Sequence, residues 1–304
     1  MSWAHLLTSP PPTTSWLLDS SVVAALRREP KGGVLWAAEP MPPGVFEVGP
    51  VGLQSVDRRK LAAVLASIHG RLDGARRVAA VVPTGWTRSY VLSFPELPRR
   101  QRELEQVVQW RLKKLLPVPP TDLRMSLVNL ASADSTRPML AMVGLERALA
   151  EVEAAFREVS VEIGLITGEI FALAATPAPG ARLLVQQDEG FLSLLLTEDD
   201  GPRLIRTKHL ASSGRLADAV RRELNLTLSY CRETFGIGGE IGLEVFAESA
   251  GLEREIEDWR TGQAGVPRVP ARPLPSFTVG GAQERLGPSR IQSLWAVIAE
   301  GRER

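Results

Sequence analysis

The chain is poor in the residues that most chemistry requires. A single cysteine, Cys231, stands among 304 residues. An internal disulfide is therefore excluded, and a reducing compartment is the simpler reading. Cys231 falls on the apolar face of an expected helix, where a thiol reads as core rather than nucleophile. The three histidines, His5, His69 and His209, are scattered and form no ligand pair, so no metal site is expected. Charge of one sign is also missing: 36 basic side chains face 35 acidic ones, a formal net charge of +1. That balance argues against a dominant nucleic-acid surface, which needs a basic excess. No apolar run approaches the ~20 residues of a membrane-spanning helix. The longest candidate, Phe191 to Leu196, suits a buried strand. The N-terminus, MSWAHLLTSPPPTTS, lacks the basic start and apolar core of a secretory signal. A cytoplasmic protein, reaching a membrane only through partners, is the expectation. There is no glycine-rich loop ending in Gly-Lys-Ser/Thr. Gly236-Ile237-Gly238-Gly239 falls where a helix should end, and glycine is expected there as a cap. The acidic groups Asp188-Glu189 and Glu198-Asp199-Asp200 neighbour expected turns. Glu253 to Asp258 forms a third acidic cluster, and nothing marks a pair of acid/base carboxylates.

What is present is a length sufficient for two domains and an ordinary 44% of hydrophobic residues. Residues 1–14, rich in Pro, Ser and Thr, read as a flexible lead. Ser15 to Leu26 and Val34 to Ala38 read as strands. Residues 39–55, with four Pro and three Gly, read as loop or edge. Leu61, Val64, Leu65 and Ile68 share one helical face, and Val78 to Val82 is the apolar run of a strand buried on both sides. A strand ending at Phe94 is followed by a charged helix over Arg99 to Leu116, stopped by Pro117-Val118-Pro119-Pro120. Strands at Ser126–Leu130 and Met139–Val143 follow. A helix marked by Leu145, Leu149, Val152 and Phe156, and a strand at Val161–Ile166, complete an expected α+β insertion over 86–160. Residues 161–180 return to the first domain, and Thr176-Pro177-Ala178-Pro179-Gly180 is the best boundary. The pattern then restarts: three strands (Arg182–Val185, Phe191–Leu196, Arg203–His209), a long helix lined by Leu216 to Cys231, and a strand at Ile241–Phe246. Residues 261–290, with five Pro and five Gly, read as largely irregular. Ile291, Leu294, Trp295 and Ile298 mark a final short helix, expected at 289–304 and packed back on the first domain. Strands followed by a helix in both halves amount to a duplicated α/β plan, with the second domain over 181–288.

Residues 78–120 are similar to a particular family. Pro83, Leu97-Pro98, Trp110 and Leu116-Pro117-Val118-Pro119 match the strand stops, helix and proline stop of the bacterial type IV pilus assembly protein PilM. The resemblance continues weakly through the strands starting at Arg182 and the C-terminal helix. It implies an actin-like fold, related to the cell-division protein FtsA: two ribonuclease H-like α/β domains flanking a nucleotide cleft, with an α+β subdomain inserted in the first. It also implies a groove between insertion and first domain that takes the N-terminal peptide of a PilN-like inner-membrane protein.

The chain departs from that family at its nucleotide loops. A loop reading roughly Asp-Ile-Gly-Ser-Ser-Ser-Val-Lys aligns with Trp16 to Val23, so Trp16 replaces the acid, Leu18 the glycine and Val23 the lysine, while Asp19 falls inside the loop. The second loop, Asp-x-Gly, becomes Gln186-Gln187-Asp188, and the Gly-Gly of the adenosine site falls near Glu248-Ser249-Ala250-Gly251. A side chain in place of glycine blocks backbone amides from phosphate oxygens. Loss of the acids removes oxygen support for Mg²⁺. The resemblance with these losses implies a pseudo-ATPase without cofactor, a scaffold docking a PilN-like peptide and other pilus or secretion components. Arg88, Tyr90, Trp110 and Arg111 are the candidate lining of the docking groove. Two alternatives are an active ATPase using ATP and Mg²⁺ through unusual loops, and a cytoplasmic GspL-like component of a type II secretion system.

Overall fold

The structure, a computed structural model, describes residues 12–29, 33–72, 76–131, 136–175, 179–188, 190–199, 201–210, 216–247, 249–270 and 282–299. The expected lead over 1–14 lies almost wholly outside the described residues, as do His5, Glu248 and residues 176–178 of the expected boundary.

The first half starts with a meander. Strand β1 (Thr14–Leu18) pairs antiparallel with β2 (Val22–Arg28), and β2 with β3 (Val34–Pro40). The apolar stretch from Ser15 to Leu26 is thus broken by a turn at Asp19–Ser21. The Pro/Gly-rich stretch that follows is not simply loop: it holds a hairpin, β4 (Phe46–Gly49) and β5 (Gly52–Val56). Gly52 explains how the hairpin fits. Its φ is 108°, and a Cβ there would lie 2.2 Å from the carbonyl oxygen of Trp86, so only glycine permits this approach. Helix α1 (Arg58–Leu72) buries Leu61, Leu65 and Ile68 and carries the chain to β6 (Arg77–Val82), parallel to β1.

The insertion comprises β7 (Arg88–Phe94), α2 (Gln101–Leu112), β8 (Leu123–Asn129) and β9 (Arg137–Leu145). It forms one antiparallel sheet in the order β7-β9-β8, with α2 on one face. The next helix, α3 (Glu146–Glu158), was expected inside this unit but belongs to the first half. Its apolar stripe (Ala148, Val152, Phe156) joins the core formed by α1, β1 and β5. The reason is its amphipathic geometry: the sheet of the insertion already has α2 on one face and the body of the protein on the other, so α3 finds its apolar partner at α1. Strand β10 (Glu162–Gly168) then adds parallel to β6 and completes the order β10-β6-β1-β2-β3. A short helix, α4 (Glu169–Ala174), fully buried and unforeseen in the sequence, connects the halves.

The second half repeats the winding. Strands β11 (Arg182–Asp188), β12 (Phe191–Glu198) and β13 (Gly201–His209) form an antiparallel meander. Helix α5 (Leu216–Phe235) crosses, and β14 (Gly242–Ala247) returns parallel to β11. The acidic cluster Glu253–Asp258 sits on α6 (Ala250–Thr261), a helix not expected from the sequence, whose first turn is capped by the Ser249 hydroxyl. There Glu255 pairs with Arg221, and Glu253 and Glu257 with Arg268. Gly236, at φ 65°, ends α5 as expected. The stretch expected to be irregular includes the start of α7 (Ala282–Ala299), which is kinked at Gly287-Pro288. Leu286, Ile291, Leu294 and Ile298 of α7 pack on Leu17, Val22 and Leu26, and the Ser15 hydroxyl donates to the Leu294 carbonyl at 2.7 Å. The first sheet is thereby sandwiched, with α1 and α3 on one face and α4 and α7 on the other. Cys231 is buried among apolar neighbours, and that burial pushes its thiol up to about 11.

Candidate functional site

In parallel α/β sheets, ligands are met beyond the carboxyl ends of the strands. Four such ends carry a polar residue at the close of the strand or within two residues of it: Asp19 after β1, Thr84 after β6, Glu169 after β10 and Asp188 at the end of β11. Three of them form a buried network across the junction of the halves. The Thr84 hydroxyl donates to Gln186 Oε1 at 2.6 Å and accepts from the Ile170 amide at 3.0 Å. The Thr84 amide donates to Asp188 Oδ2 at 3.2 Å. Gln186 Nε2 donates to Glu169 Oε2 at 2.7 Å and to Asp188 Oδ2 at 3.1 Å. One glutamine amide thus bridges two buried carboxylates. Gln186 and Asp188, both flagged in the sequence, meet here; Thr84 and Glu169 were not flagged. A signal was available for Thr84, which lies two residues beyond the continuous apolar strand Val78–Val82, whereas Glu169 follows a strand broken by Gly164, Thr167 and Gly168.

The same junction is closed by packing. A Cβ on Gly85 would lie 2.3 Å from the Phe191 ring, so the turn at Thr84–Trp86 is pressed directly against β12. The Arg88 guanidinium lies 5.2 Å from the centre of that ring and donates to the carbonyls of Gly85 (2.9 Å), Thr87 (3.1 Å) and Pro50 (2.5 Å). Burial pulls its pKa below the ordinary arginine value. Arg88 therefore ties together the β4–β5 hairpin, the turn after β6 and the second half. It does not stand beside Trp110.

The first loop is occupied by its own side chains. Trp16, Leu18 and Val23 point into the first core, where the Trp16 ring meets Phe156 edge-on at 5.3 Å. The indole N–H of Trp16 has no hydrogen-bond partner. At the turn, Asp19 Oδ1 accepts from the Ser21 amide (2.7 Å) and hydroxyl (2.5 Å), while Oδ2 accepts from Arg290 of α7. The Asp19 amide donates to the Val22 carbonyl at 3.1 Å. These residues do not fit a phosphate group: amides that could cradle it are engaged within the turn, and a carboxylate occupies the tip.

The remaining candidates lie on the insertion. Tyr90 is half-buried beneath α2, and burial raises its pKa. Arg111 lies 5.7 Å from the centre of the Phe94 ring. Trp110 is 58% exposed on the outer face of α2, with Lys114 Nζ 3.9 Å from its ring centre. Of the four residues named from the sequence, Arg88 and Tyr90 sit on β7 and Trp110 and Arg111 on α2.

A groove exists elsewhere. It is a cavity of about 280 Å³ between the free edges of β8 and β10, each of which is paired on one side only among the described strands. Met125, Leu127, Met142, Leu149, Ile163 and Leu165 are among its lining residues. Its polar end is held by Arg124, which donates twice to Glu146 at 2.7 Å and also to Glu153. These bonds hold the Glu146 carboxyl below the ordinary carboxylate range. The described residues contain no group of three or more His, Cys, Asp or Glu suited to a metal, and no helix among them is long and apolar enough to cross a membrane.

Two sheets that each join an antiparallel meander to a parallel strand, with a subdomain inserted in the first half, have the actin-like ATPase fold, built from duplicated ribonuclease H-like domains. The solved structure of a "PilM-PilN type IV pilus biogenesis complex" is similar over 96% of this chain and 99% of that one, with a TM-score of 0.68 and 18% identity. A Bacteroides thetaiotaomicron protein of "actin-like ATPase fold and unknown function" is similar over 86% of this chain and 91% of that one, with a TM-score of 0.52 and 9% identity. The cytoplasmic domain of EpsL, an inner-membrane component of the Vibrio cholerae type II secretion system, reaches a TM-score of 0.46 at 11% identity, over 82% of this chain and 94% of that one. No protein-family model matches the chain, and no curated protein matches it.

Proposed function

We propose that this chain is a non-catalytic scaffold of a type IV pilus or related secretion platform, and that the groove between β8 and β10 docks an extended peptide from a PilN-like inner-membrane partner. The observation that carries this reading is the pair of facing strand edges. An extended peptide entering the groove finds backbone donors and acceptors along an edge and apolar pockets for alternate side chains, the recognition mode of strand addition. The PilM–PilN complex, similar over nearly the whole chain, supports a partner of this kind. The departures at Trp16, Leu18 and Val23 and the internally bonded turn at Asp19 support a chain that works without nucleotide.

The test is calorimetric titration with the N-terminal cytoplasmic peptide of the membrane protein encoded beside this chain. Binding that is lost in Leu165→Glu supports the reading. A folded protein that binds no such peptide overturns it. The convergence of Glu169 and Asp188 is the observation that favours the active-ATPase reading. Titration with Mg-ATP decides this point, and micromolar binding would require the scaffold to be a nucleotide-dependent one.

A further inference from the structure

Helix α2 and the turn after it turn an unusual surface outward. Leu104, Val108 and Leu112 bury one face against the insertion sheet. The opposite face centres on Trp110, 58% exposed, with Val107 and Leu115 also exposed at 36% and 51%. Around them the segment Arg99–Leu116 carries six basic side chains against two acidic ones, in a chain whose net charge is +1. Glu103, one of the two acids, is paired with Arg100. Arg99, Arg102 and Lys113 are exposed and make no ion pair among the described residues. The packing of α2 on its own sheet is satisfied by the other face, so an exposed tryptophan with a lysine over its ring needs a separate explanation.

We propose that this face is a peripheral docking surface for an anionic lipid bilayer. Tryptophan sits best where one side of its ring is apolar and its N–H is wet, which is the headgroup boundary. Lysine and arginine stems reach along the same boundary and place their charges on acidic headgroups. Each such charge contributes on the order of 1 kcal/mol near an anionic surface, or about fivefold in partition. Lys114, 3.9 Å from the Trp110 ring, already has the geometry of a cation lying over the aromatic face at that boundary. The proposal is independent of the groove, which lies along the β8 edge of the same subdomain.

The experiment uses the full chain with vesicles of phosphatidylcholine, alone or with phosphatidylglycerol. Flotation with the anionic vesicles alone, reversed by salt, is the expected result. Lys113→Glu with Lys114→Glu should lower partition by more than tenfold, and Trp110→Ala by about fivefold, both with unchanged melting. A blue shift of tryptophan emission on vesicle addition, smaller in Trp110→Ala, is expected too, because Trp110 is the most exposed tryptophan among the described residues. Equal binding to neutral vesicles, no binding at all, or variants that bind as well as the parent would overturn it. Concentration-dependent self-association that Trp110→Ala abolishes would assign the face to a second copy and overturn it as well. Peptide binding in the groove is read separately by calorimetry, so either reading can fail alone.

Discussion

The junction of the two halves and the groove beside the insertion are both built from strand ends and edges, yet they finish in opposite states. At the junction, polar groups at the ends of β6, β10 and β11 find one another: Thr84, Gln186, Glu169 and Asp188 are hydrogen-bonded and almost fully buried. Phe191 fills the space a glycine leaves at position 85. At the groove, two edges face each other across a cavity, with apolar side chains along it and an Arg124–Glu146 pair at one end. Burial and the hydrogen bonds that Thr84 and Gln186 share across the halves make the first a structural joint. The second keeps two strand edges unpaired among the described residues and partly exposed apolar side chains, the features on which the proposed docking rests.

The comparison breaks if the joint proves soft. Gly52→Ala places a Cβ at φ 108° against the Trp86 carbonyl and should cost about 3 kcal/mol or more, read as a lowered urea midpoint. A midpoint unchanged from the parent would mean that the hairpin can move away from the joint. Thr84→Val leaves Gln186 Oε1 and the Ile170 amide unsatisfied in a buried site. A loss of about 2 kcal/mol is expected from chemical denaturation.

The groove should respond differently. Leu165→Glu should weaken peptide binding at least tenfold by calorimetry, with stability within about 0.5 kcal/mol of the parent. Peptide affinity that survives Leu165→Glu while Thr84→Val destroys it would reverse the assignment of the two regions. The smallest effect concerns acid. Glu146 has its folded-state pKa depressed below 4.5 by Arg124, so its contribution is full above that value and fades as pH falls through the lower one. Arg124→Met should change neutral stability by less than about 1 kcal/mol, as for exposed ion pairs, and flatten the dependence of the denaturation midpoint on pH below 4.5.

Legibility in the sequence followed local signals. The apolar runs at Val78–Val82 and Phe191–Leu196 fall on strands, and the stripes of α1, α2, α3 and α5 fall on helices, because burial of one face imposes its period on the chain. Helix α6 was hidden: four of its twelve residues are acidic, and the apolar positions Leu252, Ile256 and Trp259 are too few to stand out. Helix α4 is hidden for the opposite reason. Six buried residues show no periodicity when every face is covered. For the candidate site, Gln186 and Asp188 were legible as loop substitutions, whereas Arg88 looked like a groove residue. Its role as a tie between three segments depends on carbonyls at positions 50, 85 and 87, and no pattern in the sequence announces a carbonyl's direction.

By itself, then, the sequence determined the two α/β halves, the strand, helix and two strands between Arg88 and Val143, and the placing of Trp16, Leu18 and Val23 where the resembled family has acid, glycine and lysine. These are properties of residue type and spacing, set by propensity and burial within a single segment. Tertiary structure alone decided that α3 belongs to the first core, that Thr84 and Glu169 join Gln186 in one buried network, and that two strand edges 33 to 45 residues apart in the chain leave a groove between them. Those outcomes depend on which faces and edges remain uncovered once every other element has packed, a global condition that no local pattern contains.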